Sequence, residues 1–177
     1  MKKEMIVGFV CILFLISCSE KGTPGMTKVV LETNKGDITI QLFENKAPAT
    51  SSNFKSLVQK GFYDGTIFHR VIKGFVIQGG DPEGTGRGGP GYTIKDEISS
   101  DLKHDKPGIV AMASRGPDTA GSQFYIILTP QPLLDGKYSV FGEVVDGMDV
   151  VEEIGNVETG SNDKPVEDVV VKKAFVK

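Results

Sequence analysis

From Thr66 onward the apolar segments of this chain are short, and each is bounded by Gly, Pro or Asp within a few residues. The segments are Thr66 to Ile72, Val76 to Gly79, Gly108 to Ala113, Gln123 to Leu128, Ser139 to Val144 and Val166 to Phe175. Turn chemistry at every boundary marks them as strands. Upstream, Lys28 to Thr33 and Asp37 to Phe43 flank Asn34-Lys35-Gly36, which predicts a hairpin. Only two stretches carry a helical signature. Pro48 stands at the start of one, with Phe54, Leu57 and Val58 on one face and Gly61 as its stop; Met148 to Ile154, stopped by Gly155, is the other. Strands without regular strand–helix alternation exclude a doubly wound parallel sheet and predict a mainly β domain, a closed antiparallel barrel or a sandwich.

The amino end stands apart from this pattern. Lys2 and Lys3 precede an apolar run from Met5 to Ile16, the order of a secretory signal and too short to span a bilayer. The run ends in Leu15-Ile16-Ser17-Cys18, which resembles a bacterial lipoprotein signal. That resemblance implies removal of residues 1–17, lipid on Cys18, a tether over 18–27 and a folded domain over 28–177. It places the protein in the cell envelope, anchored to a bacterial membrane and facing the periplasm or exterior.

Composition narrows the chemistry. A net charge of −3, with cations dispersed among acids, offers no basic stripe for nucleic acid. Two Cys and two His are too few for a zinc ribbon or a disulfide framework. Gly84, Gly86 and Gly89 have the spacing of a dinucleotide loop, but Pro90-Gly91 stands where a helix must open, so a compact loop shaping the wall of a site is expected. Ser122 lacks a nucleophile elbow. His69 and His104 have no evident carboxylate companion and read as packing or surface residues.

Two longer runs remain: Phe68-His69-Arg70-Val71-Ile72-Lys73-Gly74-Phe75-Val76-Ile77-Gln78-Gly79-Gly80-Asp81, and Met112-Ala113-Ser114-Arg115-Gly116-Pro117-Asp118-Thr119-Ala120-Gly121-Ser122-Gln123-Phe124-Tyr125-Ile126. With Leu133 to Gly142 they resemble the cyclophilin family of peptidyl-prolyl cis-trans isomerases, over essentially all of Lys28 to Lys177. The resemblance implies a closed eight-stranded antiparallel β-barrel capped by two α-helices. It implies catalysis by Arg70 with Gln78, and a substrate site formed by Phe75, Val76, Ala113, Ser114, Gln123, Tyr125, Leu133, Leu134 and Tyr138. The partners are then proline-containing polypeptides, and no metal or cofactor is required.

Val76, Ser114, Tyr125, Leu133 and Tyr138 replace the Met, Asn, Phe, Trp and His of the best-known eukaryotic pattern. Leu133 lacks the indole, so only weak binding of cyclosporin is expected. The alternative to an enzyme is a non-catalytic, chaperone-like lipoprotein that grips proline peptides in the same groove.

Register supplies a local test. A two-residue turn at Lys73-Gly74 would put Gln78 on the wrong face, whereas a three-residue connection, Lys73-Gly74-Phe75, pairs Arg70 with Gln78.

Overall fold

The structure, a computed structural model, describes residues 27–177. The signal segment, Cys18 and nearly all of the expected tether lie outside the described residues.

Strands β1 (Lys28–Thr33) and β2 (Asp37–Leu42) form the expected hairpin, with Glu32 opposite Asp37. Ile38, Ile40 and Leu42 are all fully buried, so alternation sets which face of β2 enters the core. Helix α1 (Pro48–Gln59) buries Thr50, Ser51, Phe54, Leu57 and Val58 along one side. No side chain of its own caps it. Glu97 does so from a distant loop, its carboxylate accepting the Ala49 and Thr50 backbone N–H groups at 3.1 and 2.5 Å.

After α1 come β3 (Arg70–Ile72), β4 (Val76–Gly79), β5 (Ile109–Met112), β6 (Phe124–Ile127), β7 (Val140–Asp146), α2 (Met148–Gly155) and β8 (Val171–Val176). They form one antiparallel sheet in the order β3-β4-β6-β5-β7-β2-β1-β8. Helix α1 lies against β7 and β8, and α2 against β2, β3 and β4. Phe54 sits among Tyr63, Phe124 and Phe141, with ring centroids 4.9 to 5.3 Å away, and this aromatic cluster fills the inside of the curved sheet.

The expected closure is corrected. Among the described residues no ladder joins β3 to β8, and the sheet is an open half-barrel. Residues 65–68 cross the gap with short-range contacts that form no regular ladder: an Ile67–Val170 bridge, Phe68 N–H to Val169 O at 2.9 Å, Val171 N–H to Thr66 O at 2.8 Å and Gly65 N–H to Val171 O at 2.8 Å. Beyond Val171 the outer side of β8 is taken. Ala174 N–H donates to the Asp64 carboxylate at 2.8 Å and α1 packs alongside, so pairing cannot continue. For the same reason the expected strand Thr66 to Ile72 is regular only over its last three residues.

Candidate active site

The β3–β4 hairpin adopts the three-residue connection. Arg70 faces Gln78, Val71 faces Ile77 and Ile72 faces Val76, and Phe75 N–H donates to Ile72 O at 2.9 Å. Gly74 takes φ +71°, a conformation that side-chain-bearing residues rarely adopt.

This register starts a chain of hydrogen bonds with a fixed direction. The Arg70 guanidinium donates from Nη1 to Gln78 Oε1 at 3.4 Å, Gln78 Nε2 donates to Gln123 Oε1 at 3.0 Å, and Gln123 Nε2 donates to Gly88 O at 2.9 Å. Arginine can only donate and a carbonyl can only accept. The two ends therefore fix the orientation of both amides between them.

The far end of the chain is itself anchored. Asp81, fully buried, accepts N–H groups from Glu83, Thr85 and Gly86 at 2.8, 3.0 and 2.6 Å, folding the glycine-rich loop around its carboxylate. A Cβ at Gly88 would collide with Asp81 Oδ1, so the loop closes only around glycine there. Burial pushes the Asp81 carboxyl up, but the donors from Glu83, Gly88, Gly86 and Thr85 outweigh it and hold the group below its ordinary value. The loop is thus the wall of a site, as its sequence suggests, and it is positioned by an aspartate that the motif reading passed over.

Beside the guanidinium lies a cup of about 280 Å³. Phe75, Val76, Ala113, Tyr125, Leu134 and Tyr138 line it together with Arg70, Gln78 and Ser114. Gln78, Ala113 and Ser114 also border a larger groove of about 600 Å³, which Gln123 and the glycine loop continue. Each expected site residue therefore faces one of these two depressions except Leu133. The 3-10 turn Pro132–Leu134 points Leu134 inward and leaves Leu133 82% exposed.

Three groups that sequence reasoning missed complete the arrangement. Asp163 Oδ2 lies 3.5 Å from Arg70 Nε, so the guanidinium is held on a second edge. Asn162 and Asp163 both take φ +59°, a conformation Asn and Asp tolerate better than most residues; that marks a turn but not its partner. His104 is fully buried, with Nδ1 3.0 Å from Asp135 and Nε2 2.8 Å from the Tyr125 hydroxyl. The expectation that His104 lacks a carboxylate companion is thereby corrected: Asp135 is brought to it by the turn after Leu134. His69 is a packing residue as expected. It is 6% exposed, and burial holds its imidazole below the usual range.

Burial pushes the Tyr125 hydroxyl far above its ordinary value, with Tyr138 and Asp135 adding to the effect, so it remains protonated. Phe75, Val76, Ala113 and Leu134 give the cup apolar walls, and Arg70 brings a fixed guanidinium to it. Such a surface is suited to holding a small ring while a donor meets it from the side.

Comparison with known proteins agrees with this class of site. The model of the family described as cyclophilin type peptidyl-prolyl cis-trans isomerase/CLD matches residues 28–176, and the chain belongs to that family. Peptidyl-prolyl cis-trans isomerase-like 1 of Gibberella zeae is 51% identical over 153 residues, covering 85% of this chain and 94% of that protein. The protein of the same name from Homo sapiens is 51% identical over 150 residues, covering 83% and 90%. A crystal structure of a cyclophilin type peptidyl-prolyl cis-trans isomerase from Cryptosporidium parvum, determined in the presence of the dipeptide Ala-Pro, superposes with a TM-score of 0.83. It is 41% identical and covers 85% of this chain and 98% of its own. The activity is peptidyl-prolyl cis-trans isomerisation.

Proposed function

We propose that the cup formed by Phe75, Val76, Ala113, Tyr125, Leu134 and Tyr138 receives the proline ring of a polypeptide substrate, and that Arg70 stabilises the twisted X–Pro bond. Rotation about that bond sacrifices amide resonance, at a barrier of about 18–20 kcal/mol. As conjugation is lost, the prolyl nitrogen regains its lone pair. A donor fixed beside it gains strength only in the twisted state, which lowers the barrier rather than merely tightening binding. Gln78 sets the plane of the guanidinium, Gln123 sets Gln78, and the glycine loop sets Gln123. Ser114 and Gln123 stand where the peptide backbone would leave the cup. The reaction breaks no covalent bond and moves no proton.

The observation that carries this reading is the hydrogen-bond chain donated from Arg70 through Gln78 and Gln123 to Gly88, which holds the guanidinium beside the cup. It suits catalysis because a donor held in place beforehand needs no reorganisation as the bond twists. A coupled assay, in which a protease cleaves only the trans form of an X–Pro reporter, tests it. The slow phase should accelerate in proportion to protein concentration, and an unchanged slow phase would contradict it.

Asp163 is expected to contribute less than Gln78, because both partners of its ion pair are about half exposed. Asp163→Ala should lower kcat/KM about two- to fivefold, the range of a surface pair. Cyclosporin should inhibit weakly relative to family members with Trp at the position of Leu133, because this exposed aliphatic side chain offers neither indole donor nor aromatic area. Inhibition as tight as in a Trp-bearing member would contradict that.

We further propose that the mature protein is a lipid-anchored envelope isomerase, acting on folding or exported polypeptides. Support comes from the order of Lys2 and Lys3, the apolar run and Leu15-Ile16-Ser17-Cys18, and from the family match beginning only at residue 28. Cys18→Ser should move the protein from the membrane fraction to the soluble fraction. An unchanged membrane fraction, or a free Cys18 thiol in the mature protein, would contradict the anchor.

A further inference from the structure

His104 stands behind the proline cup rather than in it, and it touches two of the cup's walls at once. Its Nδ1 lies 3.0 Å from Asp135 Oδ1, and the same carboxylate oxygen accepts the His104 backbone N–H at 2.8 Å. Its Nε2 lies 2.8 Å from the Tyr125 hydroxyl, and the two rings stack with an interplanar angle of 15°. Its carbonyl accepts the Gln131 N–H at 2.7 Å. Gln131 and Asp135 flank the 3-10 turn that presents Leu134, while Tyr125 belongs to β6. One imidazole thus joins β6 to the turn that carries Leu134.

The carboxylate fixes the polarity at the Asp135 end of the join. The hydrogen bonds hold the Asp135 carboxyl below its ordinary value, so it accepts and Nδ1 carries a proton. Nε2 shares a hydrogen bond with the Tyr125 hydroxyl. That hydroxyl is turned away from the cup interior, and the Tyr125 ring meets Tyr138 edge-on at 5.8 Å. Nothing in simple core filling requires these bonds: a phenyl ring at position 104 would occupy similar space, and the backbone contacts to Asp135 and Gln131 would remain.

We infer that His104 is a positioning residue of the isomerase: by tying Tyr125 to the Leu134 turn through Asp135, it sets the width of the cup and hence the affinity for the proline ring. This rests on the reading of Tyr125 and Leu134 as walls of that cup. The effect falls on binding, because His104 makes no contact with the Arg70 chain.

The test compares KM, kcat and melting temperature for one X–Pro peptide in wild type, His104→Phe and His104→Gln, with Arg70→Ala in parallel. His104→Phe should raise KM about tenfold, the scale of one lost hydrogen bond, with kcat within about twofold. His104→Gln, whose amide can both donate to Asp135 and accept from Tyr125, should recover most of the affinity. A lowered melting temperature with unchanged KM would overturn the inference and leave His104 a structural residue. If His104→Phe does not fold, Asp135→Asn replaces it. That variant keeps an acceptor for the His104 backbone and removes the charge, and it should raise KM about threefold; unchanged KM would again overturn the inference. An Arg70→Ala variant of full activity would defeat the site reading itself, whereas an inactive one beside an unchanged KM in the His104 variants defeats only the inference.

Discussion

Arg70→Ala is expected to lose about 10²–10³ of kcat/KM, the usual consequence of removing one preorganised donor from a developing charge, while peptide affinity changes only a few-fold. Phe75, Val76, Ala113, Tyr125, Leu134 and Tyr138 still line the cup that holds proline, so most ground-state binding survives. What disappears is the donor that strengthens as the bond twists. Gln78→Ala should cost less, because the guanidinium remains and Asp163 still holds its Nε edge. Arg70→Lys should also fall short of wild type. Its ammonium is a point charge without the planar fork that reaches Gln78 and Asp163 while leaving a donor for substrate. The coupled assay measures all three, and activity of Arg70→Ala within twofold of wild type would contradict the role.

Asp81→Ala is expected to produce the largest loss of stability among the site variants. It strips the acceptor from the Glu83, Thr85 and Gly86 N–H groups together. Each donor left without a partner costs about 1–3 kcal/mol when buried, and rather less where loop water can replace the carboxylate. A total near 3 kcal/mol lowers the melting temperature of a domain this size by roughly 6–12 °C. The loop would no longer hold Gly88 O against Gln123, so kcat should fall as well.

The pH dependence of Asp81 follows from its depressed value. The folded group titrates below the unfolded reference of about 3.9, so its contribution is complete above that reference and is lost as pH falls through the folded value. The melting-temperature gap between wild type and Asp81→Asn should be constant from neutral pH down to about pH 5 and shrink below about pH 4. A gap that does not change across that range would contradict the role of the ionised carboxylate.

The β3–β4 hairpin was readable because a glycine at the turn and strict two-residue alternation leave one register in which Arg70 and Gln78 share a face. The helices were readable from Pro48, Gly61 and their apolar spacing. Sheet closure was not. Whether β3 and β8 pair depends on what else lies beside β8, namely Asp64 and α1, and no local pattern encodes that. Within the site, motif position brought Phe75, Val76, Tyr125 and Leu134 together, but it could not separate Leu134 from Leu133. A 3-10 turn sends neighbouring side chains in different directions where a strand would simply alternate. Asp163 and the pairing of His104 with Asp135 were invisible for a further reason. Each joins segments far apart in sequence, and a long-range pairing of this kind has no periodicity. Asp81 was the nearest miss. An aspartate just ahead of a glycine-rich loop is a standard signal for side-chain acceptance of following N–H groups.

Exchange between the cis and trans forms of an Ala-Pro peptide at equilibrium, followed by NMR, isolates bond rotation from every coupled step. Wild type should accelerate exchange in proportion to enzyme concentration. Arg70→Ala, at peptide concentrations where binding is detected for both proteins, should leave exchange close to its uncatalysed time of about tens to hundreds of seconds. Equal acceleration by the two proteins, or none by wild type, would contradict rotation driven by a fixed guanidinium at the rim of an apolar cup.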